Sequence, residues 1–363
     1  MEEWKEYKLG EVCSRLRSGK GIKADSVSNI GKYPVIGGNG VRGYADESNF
    51  EGQAAVIGRQ GAYCGNVHFF EGEAYMTEHA VVAVGNEFAD TRFLACLLSL
   101  MHLGNLSAQS AQPGISVQTL SKQIVRLPSI PYQKKVSAII KSLDDKIEVN
   151  RRINENLEQQ AQALFKSWFV DFEPFKDGEF VESELGRIPK GWRVGMLGEL
   201  IDVKYGKDHK KLTEGRYPVY GSGGLMRYVE KSLYSGESVL IPRKGTLNNV
   251  MYVNEAFWTV DTMFYSIPKV ENIMLFVFIY LSNRDLASLN AGSAVPSMTT
   301  EILNNMKVVV PSDSIINDFN NKALALYAAI HHNNEESRRL ATLRDTLLPK
   351  LMSGELKVNE VEI

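Results

Sequence analysis

Two short loops of the sequence combine an arginine, a polar or basic neighbour and a glycine: Arg59-Gln60-Gly61 and Arg243-Lys244-Gly245. Arginine can form a bidentate contact with guanine, and glutamine can form one with adenine. A glycine beside them lets the backbone approach a ligand closely. These residue types indicate that the two loops contact base edges of DNA. The alternative for each arginine is a solvated surface side chain.

Further basic and amide side chains are candidate DNA contacts. Lysines of this kind usually contact phosphates, which supply affinity but little sequence information, whereas asparagines can reach base edges. The remaining candidates are Lys20, Lys23, Asn39, Arg42, Lys207, His209, Lys210, Lys211, Asn248 and Asn249. The stretch Gly37-Gly38-Asn39-Gly40 is followed by neither GK[ST] nor GxGxxG spacing, so it predicts a turn and not a phosphate-binding loop.

No motif of a known catalytic site accompanies these residues. The sequence has no GxxxxGK[ST], GxSxG or HExxH pattern, and it has no Asn-Pro-Pro-Tyr motif. Its cysteines, Cys13, Cys64 and Cys96, are scattered without a CxxC pair, which favours free thiols. We therefore expect no catalytic residue, no metal site and no cofactor bound by this chain.

The two loops lie at matched positions because the second half of the chain repeats the first. Trp4 and the following Leu9-Gly10-Glu11-Val12 return as Trp192 and Leu197-Gly198-Glu199-Leu200. Other matched segments keep the same order, and their offset falls from 188 to 183 residues. Two long repeats favour a duplicated domain over a solenoid of short units.

Each half begins with a glycine-rich region of short β-type runs, such as Ala54 to Ile57 and Ala80 to Val84. A helix is predicted after these runs, at Thr91 to Leu103 in the first half and at Ile273 to Asn283 in the second. This succession predicts one mixed α/β domain in each half.

Each half ends in a long helix with a heptad stripe. From Val136 the apolar positions keep an unbroken 4-3-4-3 spacing, and a second stripe from Phe319 repeats every position 183 residues later. Polar residues interrupt both stripes near the middle, which can fix the register of paired helices. The residues that we expect at the helix interface are Ile140, Leu143, Ile147, Asn150, Leu157, Leu164, Leu326, Ile330, Asn333, Leu340 and Leu347.

Two matched stripes can be buried against each other, so we expect the long helices to pair as an antiparallel coiled coil. The alternative is core packing within a globular domain. The predicted fold class is α+β, with two similar mixed α/β domains separated by the paired helices and related by a pseudo-two-fold internal repeat.

Composition and charge are compatible with this interpretation without requiring it. The chain has 363 residues, 44% of them hydrophobic, and a formal net charge of −2. The charge argues against a protein coated in basic residues, although DNA binding depends on how charge is distributed over one face. No secretory signal opens the sequence, and its apolar runs are shorter than the about 20 residues that cross a bilayer. We expect a cytoplasmic location.

Several segments resemble the specificity subunits of type I restriction–modification systems. The openings WKEYKLGEV (Trp4 to Val12) and GWRVGMLGEL (Gly191 to Leu200) look like the start of a target-recognition domain. The segment from Ile130 to Phe175 is similar to the central spacer helix of the family, and the segment from Leu343 to Val358 is similar to its C-terminal helix and tail.

This resemblance implies a division into recognition domains and spacer helices. Target-recognition domain 1 would cover residues 1–130, followed by the central coiled-coil helix at 131–170 and a linker at 171–190. Target-recognition domain 2 would cover residues 191–312, followed by the C-terminal coiled-coil helix at 313–352 and a tail at 353–363.

The resemblance also implies partners and an activity. Each recognition domain would read one half of a bipartite target in double-stranded DNA, and the helices would set the gap and dock two modification (methyltransferase) subunits. Restriction subunits would join this core. S-adenosylmethionine, ATP and Mg²⁺ would bind to the partner subunits, and the specificity subunit itself would be non-catalytic. The alternatives are a coiled-coil protein-binding scaffold without DNA specificity and a self-contained nuclease.

Overall fold

The computed structural model describes residues 3–107, 113–289 and 297–360. The chain divides into two compact units. The first comprises residues 1–149 together with 335–363, and the second comprises residues 150–334. Each unit therefore contains one region of short strands and a segment of each long helix.

The first unit is built on a mixed β-sheet. Its strands are β1 (Lys5–Lys8), β2 (Cys13–Ser18), β3 (Tyr33–Gly37), β4 (Gly40–Ala45), β5 (Phe50–Gly58), β6 (Val67–Met76), β7 (Ala80–Gly85) and β8 (Ile124–Leu127). Six of them form one sheet in the order β2-β7-β5-β6-β3-β4, and β1 pairs with β8 separately. Neighbours in the sheet are antiparallel except β3 and β6, which are parallel.

Helices cover one face of this sheet. They are α1 (Thr91–Leu100), α2 (Val117–Ser121) and the first half of α3 (Ile130–Phe169). Asp90 caps α1, because its side chain accepts a hydrogen bond of 3.0 Å from the Phe93 N–H. Phe93, Leu94 and Leu98 are fully buried and pack in one core with Ile57 of the sheet. The helix thus forms where a polar cap precedes a run of apolar residues.

The second unit contains the remaining strands and helices. Its strands are β9 (Phe180–Ser183), β10 (Gly186–Pro189), β11 (Arg193–Met196), β12 (Ile201–Tyr205), β13 (Tyr217–Gly221), β14 (Gly224–Val229), β15 (Tyr234–Pro242), β16 (Met251–Thr259), β17 (Met263–Pro268) and β18 (Lys307–Val310). Its helices are the second half of α3, α4 (Leu197–Leu200), α5 (Met274–Ser282), α6 (Thr300–Asn304) and part of α7 (Asp313–Ser353). In the two units together, short 3-10 helices occur at Leu9–Glu11, Ala24–Ser26, Leu103–Leu106, Glu173–Phe175 and Val358–Glu360.

The sheet of the second unit repeats the sheet of the first, strand for strand. Its order is β12-β17-β15-β16-β13-β14, and the one parallel pair, β13 with β16, corresponds to β3 with β6. The separate pair β11–β18 corresponds to β1–β8. Two mixed α/β domains with the same topology therefore confirm the internal repeat predicted from the sequence.

The long helices pair in the antiparallel sense within each unit. In the first unit, Asp144 of α3 accepts a hydrogen bond of 2.9 Å from Arg344 of α7, and Lys146 lies 3.2 Å from Glu336. In the second unit, the rings of Phe169 and Phe319 lie 4.8 Å apart. The residue numbers of the contacts thus decrease along α7 as they increase along α3, which confirms the predicted antiparallel pairing.

The heptad stripes face the partner helix. Every interface residue predicted from the spacing is buried or half-buried, and Ile140, Leu143, Asn150 and Ile330 are among the buried ones. The helices contain 40 and 41 residues. The ends of the stripes, such as Val136 and Phe319, also pack in the apolar cores of the two units, so helix pairing and core packing together bury the stripes.

Two segments carry structure that the sequence pattern did not indicate. Residues 171–190, expected as a linker, contain the hairpin formed by β9 and β10. The tail after α7 returns to the first unit: the Tyr132 hydroxyl donates to the Leu356 carbonyl at 3.2 Å, and Val358 is buried. No helix within the described ranges is long and apolar enough to span a membrane.

Candidate nucleic-acid interface

Arg59 lies at the end of β5, where loops of the first unit meet. Its backbone N–H donates to the His79 carbonyl at 2.9 Å, and its carbonyl accepts from the Ile115 N–H at 2.9 Å. A Cβ placed on Gly38 would lie 3.7 Å from the Arg59 nitrogen, so the β3–β4 turn packs against this strand end. These contacts fix the backbone that presents the half-buried Arg59 side chain.

Other predicted contact residues surround Arg59. Lys20 bridges to Thr77, which precedes the His79 loop, and Asn39 occupies the turn between β3 and β4. Lys23 is exposed just before the 3-10 helix Ala24–Ser26, and the contacts that join these loops do not include it. We call the following five residues the Arg59 patch: Lys20, Asn39, Arg42, Arg59 and Gln60.

Arg243 occupies the corresponding position at the end of β15. Its backbone N–H donates to the Thr262 carbonyl at 2.9 Å, and its carbonyl accepts from the Met298 N–H at 2.9 Å. Its guanidinium donates to the Asp261 carbonyl at 3.3 Å and lies 5.2 Å from the centre of the Tyr205 ring. An aromatic face attracts a guanidinium, so ring and carbonyl together orient the side chain.

A glycine follows the arginine loop in both units. Gly61 has a φ of 80° and Gly245 a φ of 83°, in the left-handed region that residues with a Cβ rarely adopt. The Gly61 N–H donates to the Pro113 carbonyl at 3.0 Å, which ties the loop to the strand-like segment beside it. Glycine is therefore required by the turn that positions each arginine.

The two asparagines after Arg243 hold the loop in place. The Asn248 amide donates to Asp285 at 3.1 Å and accepts from the Ala287 N–H at 3.0 Å. The Asn249 amide donates to the Ser222 carbonyl at 2.7 Å. Asn248 thus links the Arg243 loop to the segment after α5, and Asn249 links it to the β13–β14 turn, so both amides brace the loop.

The lysine-rich loop of the second unit is anchored through its backbone. The Lys207 N–H donates to the Thr259 carbonyl at 2.9 Å, and the Arg227 side chain donates to the His209 carbonyl at 2.6 Å. Lys207, Lys210 and Lys211 are exposed, and His209 is half-buried. The neighbouring Asp208 accepts a backbone hydrogen bond from Lys210, which lowers the pKa of its carboxyl group. We call the following five residues the Arg243 patch: Tyr205, Lys207, Arg243, Lys244 and Asn249.

Three residues of these surfaces were missed from the sequence. Tyr205 is 51% exposed beneath Arg243. Glu78 and Asp261 occupy equivalent loops, and a carboxylate can accept a hydrogen bond from the cytosine amino group. The Glu78 carboxylate lies 3.4 Å from the His79 ring nitrogen. The internal repeat was the signal that could have identified the two acidic residues, because they fall 183 positions apart.

The cysteines lie in apolar surroundings. Burial raises the pKa of the Cys13 and Cys96 thiols to about 12. The half-buried Cys64 thiol donates to the Arg59 carbonyl at 3.4 Å. Across the part of the chain that the structure describes, no three His, Cys, Asp or Glu side chains are grouped so that they could hold a metal ion.

Comparison with known proteins identifies a family. The sequence profile described as "Type I restriction modification DNA specificity domain" matches residues 1–159 and 189–325. The MjaIX specificity subunit of a type I restriction enzyme from Methanocaldococcus jannaschii is 27% identical over 288 residues, covering 72% of this chain and 67% of that protein. The HindI specificity subunit from Haemophilus influenzae is 26% identical over 333 residues, covering 67% of this chain and 71% of that protein.

A solved structure agrees with the fold. The crystal structure of a type I restriction–modification S subunit from M. genitalium superposes with a TM-score of 0.66 at 18% sequence identity, covering 96% of each chain. The family profile spans both repeats of the α/β domain and reaches into both long helices. The chain therefore belongs to the family of type I restriction–modification DNA specificity domains.

Proposed function

We propose that this chain is the DNA-reading subunit of a type I restriction–modification complex. The observation that carries the proposal is the repeated placement of an arginine loop: Arg59 and Arg243 end equivalent strands and are held by equivalent backbone hydrogen bonds. A fold that presents the same side chain twice suits a ligand with two similar sites, and a bipartite DNA target provides them. Each unit reads one half of that target.

The paired helices have a separate role in this proposal. They set the gap between the half-sites and dock two modification subunits, which transfer methyl groups from S-adenosylmethionine to adenine. Restriction subunits that use ATP and Mg²⁺ complete the assembly. The chain itself contributes recognition and no catalysis. Its relatives are named specificity subunits, which supports this division of labour.

Methylome sequencing tests the proposed function. The chain is co-expressed with its modification subunit, and host DNA is sequenced for methylated adenine. We expect one bipartite motif that is methylated only when this chain is present. A strain that produces the modification subunit alone is the control. Identical methylation in the two strains would contradict the proposal.

Salt dependence separates DNA recognition from the alternative of a protein-binding scaffold. A protein that neutralises phosphates with lysine and arginine releases counterions, so its affinity for duplex DNA falls steeply as salt increases. We expect the complex to bind a random duplex with an affinity that falls steeply as salt increases. We expect it to bind a duplex that carries the motif found by methylome sequencing more tightly. A scaffold would bind neither duplex.

A further inference from the structure

The hairpin of β3 and β4 contains a β-bulge, and the hairpin of β13 and β14 contains the same bulge. In the first unit, Ile36 pairs with Val41 and Val35 pairs with Gly43, so Arg42 is the extra residue. In the second unit, Tyr220 pairs with Leu225 and Val219 pairs with Arg227, so Met226 is the extra residue. A bulge redirects a side chain away from the regular alternation of the strand.

Each bulge residue packs over a glycine of the partner strand. A Cβ placed on Gly37 would lie 2.6 Å from Cδ of Arg42, and a Cβ placed on Gly221 would lie 2.6 Å from Sδ of Met226. Both distances are too short for a real side chain. Glycine therefore leaves room for the stem of either residue, and the two stems follow the same path.

The ends of both side chains are accessible. Arg42 is exposed, and Met226 is 56% exposed. In the ranges that the structure describes, no ion pair involves Arg42. A methionine side chain that is this exposed gains little free energy from burial in the folded protein. Packing within either unit therefore does not explain which residue type occupies this position.

The bulge lies beside the arginine loop in each unit. In the first unit, Gly38 follows Gly37, and a Cβ placed on Gly38 would lie 3.7 Å from the backbone nitrogen of Arg59. In the second, the Ser222 carbonyl accepts from Asn249 at 2.7 Å. The Ser222 hydroxyl would lie 3.0 Å from a Cβ on Gly245. The turn next to each bulge therefore contacts the arginine loop, and the bulge residue follows that turn by a few residues.

The backbone at the two bulges is the same, whereas the chemistry of the exposed ends is opposite. Arg42 ends in a charged fork of hydrogen-bond donors that matches the O6 and N7 acceptors of guanine. Met226 ends in a flexible, apolar thioether that suits contact with the methyl group of thymine. Because the fold accommodates both side chains, we attribute the difference between Arg42 and Met226 to the ligand that each one contacts.

We propose, resting on the function proposed above, that the bulge residue is a specificity-determining position in both units. Arg42 selects a guanine in one half of the target, and Met226 selects a thymine in the other half through its methyl group. The two halves of the target thus differ at the base pair that this position reaches.

Base analogues test the proposal on the unaltered complex. The complex of this chain with its modification subunit is titrated against duplexes that carry its own motif, with uracil replacing each thymine in turn. We expect uracil at one thymine, in one half-site only, to weaken binding about fourfold, because one buried methyl group is lost. Replacing one guanine of the other half-site with 7-deazaguanine weakens binding about tenfold.

Substitutions assign these effects to the two residues. The variants are tested by selection from random duplexes. For Met226→Arg, the preference at one position of the motif should shift from thymine to guanine by at least about tenfold. For Arg42→Met, the preference at one position in the opposite half should shift from guanine to thymine. Val181→Arg is the matched control, because it adds the same charge on the exposed hairpin β9–β10. It leaves the selected motif unchanged.

The outcomes distinguish the inference from the function on which it rests. If the unaltered complex selects no bipartite motif, the proposed function fails and the inference fails with it. If the complex selects a motif but no uracil and no substitution at either bulge alters a single base, only the inference is overturned. The uracil series keeps the test decisive even if a substituted chain does not fold.

Discussion

Arg59 and Arg243 are presented by the same backbone, but they belong to different units. We expect Arg59→Ala to weaken recognition of one half-site by about 1–3 kcal/mol and Arg243→Ala to weaken recognition of the other, because a bidentate contact with guanine is lost. Titration of duplexes with one half-site randomised measures each effect. Arg126→Ala, which removes an exposed arginine from β8, is the control. Equal weakening on every duplex would instead identify both residues as phosphate contacts.

The positive φ of Gly245 leads to a prediction about the Arg243 loop. Gly245→Ala forces a Cβ into a φ of 83° and places it 3.0 Å from the Ser222 hydroxyl. We expect a loss of about 1 kcal/mol or more in stability, together with weaker binding of the half-site that depends on Arg243. Thermal unfolding and DNA titration measure the two effects. Gly223→Ala is matched to it, because open space surrounds that position, and it should change neither quantity.

The half-buried thiols of Cys13 and Cys96 lead to a predicted pH dependence of stability. The pKa of Cys13 and Cys96 is raised to about 12 in the folded chain, while the ordinary thiol value is 9.0. Their contribution to stability is therefore complete below pH 9 and is lost as the pH rises towards 12, since the unfolded state ionises first. At pH 8 we expect a thiol reagent to modify both more slowly in the folded protein than after denaturation, because the half-buried thiols are less ionised than free ones. Rapid modification of either one in the folded protein would contradict this burial.

Individual residues differ in how far the sequence alone predicts their role. Arg59 and Arg243 could be selected because the repeat aligns them. Met226 could not, because an apolar residue acquires a recognition role only from the bulge that exposes it. The amides of Asn248 and Asn249 were predicted to contact DNA, and their intrachain partners, Asp285 and Ser222, depend on long-range packing that no local pattern encodes.

At the scale of elements, the long helices were the most predictable feature. A heptad stripe is a local property of the sequence, so its length and its buried positions could be inferred from spacing alone. The sheets were less predictable. Their strands were expected from short β-type runs, but the parallel contact of β3 with β6 joins segments that are distant in the chain. The hairpin at residues 180–189 was hidden in an apparent linker.

The polar layer between the helices makes a prediction at this scale. Asn154 is 8% exposed, donates to Asn334 at 2.8 Å and accepts from Asn333 at 2.8 Å. We expect Asn154→Ala to lower stability by about 1 kcal/mol, because both partner amides lose a partly buried hydrogen bond. Urea unfolding of the complex measures the change. Gln162→Ala, at an exposed position of the same helix, serves as the control, and equal unfolding midpoints would refute the role of this layer.

For the whole molecule, the proposed control of the gap by the helices can be tested by insertion. One heptad is added between Val149 and Asn150 and another between Asn334 and Glu335, the points where the chain passes from one unit to the other. Seven helical residues add about 10 Å, or about three base pairs of duplex. We expect the gap of the methylated motif to grow by that amount while both half-sites stay the same. An unchanged gap in an active complex would rule out the proposal.

The first unit is assembled from both ends of the chain. Its core joins Leu9 and Val136 to Leu351, Met352 and Val358. The whole of the second unit, residues 150–334, is translated before these last residues leave the ribosome. Domains generally fold in order from the N-terminus during synthesis, but the core of this first unit can be completed only after the second unit has been translated. A stop codon that removes Leu351, Met352 and Val358 would therefore take core residues from the unit that contains Leu9 and Val136.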